Sequence, residues 1–136
     1  MSILQPFVNY VSRVIQNGDS LTIDAVMIDS FGNVISPQVV DPDDPEQINT
    51  LQMTWWLQNK DTGAQLSYTL GKGITIVDND RGQVQLKVAP GILESQRGFL
   101  HRMVGYWPGK EDQAVTYISG SVDTITPGIA SLANSP

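Results

Sequence analysis

Strict alternation of apolar and polar side chains constrains this chain more than any other feature. Leu21, Ile23, Ala25 and Met27 fall on one side of an extended segment, with Thr22 and Asp24 on the other. Only a strand with one face buried requires that period of two. Val84, Leu86 and Val88 repeat it against Gln85 and Lys87, and Leu51, Met53, Trp55 and Leu57 repeat it against Gln52, Thr54 and Trp56. Further strands are predicted at 34–35, 65–70, 74–77, 99–107 and 114–125.

Turn residues punctuate these runs: Asn17–Asp19, Asp29–Asn33, Asn59–Gly63, Gly71–Gly73, Asp78–Gly82 and Pro108–Lys110. Seven or eight short strands separated in this way predict an all-β protein, an antiparallel β-sandwich or barrel, of which the sandwich is favoured. The one helical hint is 90–96, where Pro90 suits a first helical position and Gly98 stops the run. Residues 36–49 hold three prolines and four acids, which predicts the least ordered interior stretch. The reading divides the chain into an N-terminal arm or first strand at 1–16, a sandwich domain at 17–126 and a flexible C-terminal tail at 127–136.

Composition narrows the chemistry. The 136 residues contain no Cys and one His, which removes disulfide staples, thiolate chemistry and multi-imidazole metal sites. A net charge of −6 argues against binding nucleic-acid backbones. The apolar runs are far shorter than the roughly 20 residues of a bilayer span, and Met1–Pro6 lacks the basic and apolar regions of a signal peptide. These features predict a soluble protein made in a cytosol, with no membrane partner.

Candidate sites are few. A serine-hydrolase constellation needs a base aligned with a nucleophile; His101 lies inside a strand, no G-x-S-x-G elbow is present, and a surface or interface position is the better reading. Asp78 and Asp80, like Asp43 and Asp44, fit turns better than a glycosidase pair. Asp78–Gly82 matches a calcium loop only at its start, without the closing Glu. No catalytic residue, metal or cofactor is therefore assigned. Trp55 and Trp56 are consecutive and must point to opposite faces: Trp55 is predicted in the core and Trp56 outside, with Tyr106 or Trp107 near it. Trp56, Tyr106 and Trp107, with the acidic group Asp41, Asp43, Asp44 and Glu46, are the candidate interface residues. The same aromatics could instead stack a sugar.

Four segments together carry a family resemblance: Asn17–Ile23, Gly73–Asp78 with Gly82–Leu86, Leu93 leading to Gly98–His101, and Tyr117–Val122. Their order resembles the small immunoglobulin-like domains of tailed-bacteriophage structural proteins, such as the N-terminal domain of the baseplate upper protein family. The chain departs from that pattern in its acidic insert at 36–49, in Phe99 where tyrosine is common, and in having no large appended domain. The resemblance implies an immunoglobulin-like sandwich that is not an enzyme. It further implies a virion component made in the bacterial cytoplasm, contacting other capsid or tail and baseplate proteins and forming homo-oligomers. Capsid decoration is slightly preferred over the tail or baseplate, and a carbohydrate-binding module is the alternative.

Overall fold

A computed structural model describes residues 6–125; the predicted tail at 127–136 lies outside them. The described residues are almost all β. In chain order the strands are β1 (Pro6–Phe7), β2 (Asn9–Tyr10), β3 (Arg13–Gln16), β4 (Leu21–Val26), β5 (Ile28–Asp29), β6 (Gln38–Asp41) and β7 (Asp44–Thr50). There follow β8 (Gln52–Asn59), β9 (Gln65–Leu70), β10 (Gly73–Asp78), β11 (Gln83–Val88), β12 (Phe99–Tyr106) and β13 (Val115–Ile125). One turn of 3₁₀ helix, Glu111–Gln113, precedes β13.

The ladder runs β2-β13-β12-β8-β9-β10-β11-β4, with β3 also on β13. One layer is β9-β8-β12-β13 with the arm strands. The other is β10-β11-β4, extended by β5 and the β1 strand paired to it. A two-residue parallel contact between β9 and β10, Gly73 with Thr69 and Ile74 with Leu70, joins the layers into a near-barrel. The result is an all-β sandwich closed toward a barrel.

Alternation places the core. Leu21, Ile23, Ala25 and Met27 are buried on β4 and just beyond it, Val84, Leu86 and Val88 on β11, and Met53, Trp55 and Leu57 on β8. Each Val, Leu, Ile or Met among them contributes about 1.5–3 kcal/mol through removal from water. Trp55 is fully buried and stacks obliquely on Tyr68 of β9, with ring centroids 5.5 Å apart.

Five expectations are corrected. The sheet is mixed, because β2 and β3 pair parallel to β13; of the two readings of 1–16, arm or first strand, the described residues 6–16 form strand segments, with Val11 buried. Residues 90–96 form no helix. Their backbone is held by other loops: Ser95 N–H donates to Asn17 Oδ1 at 2.9 Å, Gln96 N–H to Asp61 Oδ2 at 2.6 Å, and Asn59 Nδ2 to Glu94 O at 3.1 Å. Gly98 then turns the corner at φ +90°, with β13 backbone against the place of a Cβ. Residues 38–50 are a paired hairpin, because Asn79 grips both backbone groups of Gln38 at 2.7 and 2.9 Å. Val34 makes only a bridge to Ile28.

The fifth correction is His101, which is 2% exposed rather than on the surface. In β12 it shares the inward parity of Phe99, Met103 and Gly105. Its Nδ1 lies 3.2 Å from Trp55 Nε1 and its Nε2 lies 2.6 Å from the Val11 carbonyl oxygen.

Candidate interaction face

Every second residue of β8 and β12 faces away from the core, and the register aligns these residues in rows. Trp56 lies between Ser67 of β9 and Arg102 of β12, and Arg102 is followed by Ser119 of β13. In the adjoining row Gln58 lies between Gln65 and Leu100, with Ser121 beyond. Trp56 is 37% exposed and Leu100 51% exposed. Trp56, Gln58, Gln65, Leu100, Arg102 and Ser119 line a shallow depression of about 550 Å³. Two apolar side chains thus sit among amides, hydroxyls and a guanidinium, with no carboxylate among the lining residues.

The remaining candidate residues are not gathered here. Tyr106 shares the outer parity but pairs with Gln52, four residues along β8 from Trp56, or about 13 Å at a strand's rise per residue. Trp107 packs against the core. The expected aromatic cluster therefore does not form. Asp41, Asp43, Asp44 and Glu46 belong to the separate β6-β7 hairpin and line no part of the depression. Asp41 accepts the Asp43 N–H at 2.8 Å and Asp44 accepts that of Glu46 at 3.1 Å. Two of the four carboxylates thus shape the hairpin tip, while the exposed Val40 and Ile48 pair across its strands.

The other acidic turns are occupied in the same way. Asp78 accepts the Arg81 N–H at 3.3 Å and meets its guanidinium at 3.7 Å. Burial would raise the Asp61 carboxyl, but bonds from the Gln96 N–H and the Ser95 hydroxyl, with the Arg97 N–H and guanidinium, outweigh it and hold it below 3.8. Among the described residues no group of three or more His, Asp or Glu could hold a metal ion.

Leu100 and Arg102 were missed as members of this face. Their parity in β12 relative to Phe99 and Met103 was the signal that could have found them.

No protein-family model matches the chain, and no curated protein matches it. Among solved structures it is similar to a chain from the work described as "Structural basis of T cell specificity and activation by the bacterial superantigen toxic shock syndrome toxin-1". The identity is 11%, with 90% of this chain and 98% of that chain covered, at a TM-score of 0.45.

Proposed function

We propose that this protein is a non-enzymatic assembly module that binds a protein partner through the outer face of β8 and β12. The observation that carries this reading is the exposed Trp56 beside Leu100 and Arg102 on a broad sheet face. Aromatic and arginine side chains concentrate in interface cores, and the surrounding amides and hydroxyls suit an interface rim. The proposed setting is the tailed-phage virion, as a capsid decoration or a tail and baseplate component. That finer reading draws on the resemblance of the segments at 17–23, 73–86, 93–101 and 117–122. Homo-oligomeric copies in a particle would multiply a weak contact through avidity.

The test is quantitative protein analysis of purified particles together with light scattering of the pure protein added to capsid and tail fractions. A fixed stoichiometry in particles and co-migration with one fraction support the proposal. Absence from particles overturns the virion setting; loss of co-migration in Trp56→Ala, with folding intact, identifies the face.

A second reading rests on the depression itself. Its volume lies within the roughly 300–1,000 Å³ range of small-ligand sites, and Gln58, Gln65 and Arg102 could hydrogen-bond the hydroxyls of a sugar stacked on Trp56. Saturable glycan binding that Trp56→Ala abolishes, with no co-migration, would favour this carbohydrate-binding function.

A further inference from the structure

We propose that His101 is a protonation-controlled pin, which in its neutral form holds residues 9–16 against β13 and on protonation releases them. The geometry assigns the tautomer. An indole N–H can only donate, so His101 Nδ1 must accept from Trp55 at 3.2 Å and carry no proton. The ring proton is then on Nε2, which donates to the Val11 carbonyl at 2.6 Å. Val11 joins β2 to β3, and its own N–H donates to Ser119 O of β13 at 2.8 Å. One neutral imidazole thus links the centre of the core to the middle of the arm. The link depends on Gly120: a Cβ there would fall on the Val11 carbonyl and lie 3.0 Å from His101 Nε2.

A second ring proton has no acceptor. Imidazolium donates from both nitrogens, and either edge turned toward Trp55 would set one N–H against another. One side must yield, and the two sides are held unequally. Trp55 is fully buried on β8, which pairs with β12 over eight residues. The arm is held by parallel ladders of two and four residues.

The charges around the ring favour the same outcome. Trp55 and Leu57 of β8 and Gly120 of β13 bring no charge to the ring. Tyr68 of β9 lies behind Trp55, its phenol pushed up by burial, and Arg102 points to the opposite face of β12. Burial opposes protonation of the imidazole, the bond to the Val11 carbonyl favours it, and the field of Arg13 of β3, the cation that reaches the ring, opposes it. Once the ring is charged, the same repulsion pushes the arm away. Its departure bares the β13 backbone from Ile118 to Ile125, an open edge on which a strand can add.

The test is amide hydrogen exchange on the full chain from pH 7.5 to pH 5, corrected for intrinsic rates, with the His101 ring followed by nitrogen NMR. The result expected is an Nε2–H tautomer at neutral pH and a fall in Val11 and arm protection that follows the ring titration. Relative to the β4-β11 amides the fall should be about tenfold or more, the factor that corresponds to one pKa unit of coupling. In His101→Leu that pH dependence disappears, whatever the absolute protection. Arg13→Gln, which leaves the ring in place, should raise the midpoint of the ring titration. The proposal is overturned if arm protection is unchanged while the ring titrates, if it falls equally in His101→Leu, or if the ring stays neutral until the whole protein unfolds.

Discussion

The two faces of the β8-β12 pair share one backbone and do opposite things. Inward, Met53, Trp55, Leu57, Phe99, His101 and Met103 are almost without solvent contact. Outward, Trp56, Gln58, Leu100 and Arg102 are exposed around a shallow depression. The difference between Trp55 and Trp56 is therefore parity, not chemistry. A large apolar residue stabilises the fold on one side and on the other is available for recognition, because a pleated strand sends neighbours in opposite directions.

Substituting the two tryptophans separately is the sharpest challenge to that contrast. Trp55→Ala should cost about 3–5 kcal/mol of stability, through lost burial and the cavity left, as read by urea unfolding. Trp56→Ala should change unfolding by less than about 1 kcal/mol, as at most surface positions. Its loss should instead appear in partner association, as the roughly 2 kcal/mol of an interface hot spot, measured by titration against the co-migrating fraction. Equal effects of the two on stability would mean that the outer face is structural as well.

Acidity tests the inner face alone. Burial, with Arg13 nearby, depresses the His101 pKa below 6.5 in the folded protein. The unfolded chain then binds more protons as pH falls below 6.5, so stability is full above that value and declines as pH falls toward the folded pKa. Unfolding midpoints from pH 8 to pH 5 should show this decline in the native chain, with the His-linked part missing from His101→Leu. The smallest effect concerns neither face. Asn79→Ala removes both grips on Gln38 and should loosen the β6-β7 hairpin by about 1–2 kcal/mol, at roughly 1 kcal/mol per hydrogen bond, seen as faster exchange of hairpin amides only.

Much of the β architecture was legible because it follows from local alternation. Leu21 to Met27, Leu51 to Leu57 and Val84 to Val88 each declare a buried side without reference to the rest of the chain. What was not legible depends on distant partners. Ser95 and Gln96 look like a helical turn until Asn17 and Asp61 take their N–H groups. The prolines and acids at 36–49 look unstructured until Asn79 closes the hairpin. His101 was misplaced because its polarity was weighed above its parity; with Phe99 and Met103 two residues to either side, the pattern already pointed inward. The outer position of Trp56 was legible from alternation, whereas Tyr106 and Trp107 were grouped with it by composition, which carries no register.

The parallel pairing of β3 with β13 has a consequence for the order of assembly. Ser12 and Ser121, which meet across this seam, are 109 residues apart in the chain. The arm has no ladder partner on β13 until nearly all the intervening sequence has been made, so on the ribosome the seam closes late. Contacts so distant in sequence slow the search for the native state. During that interval the strand is unsatisfied and free to pair with the wrong neighbour.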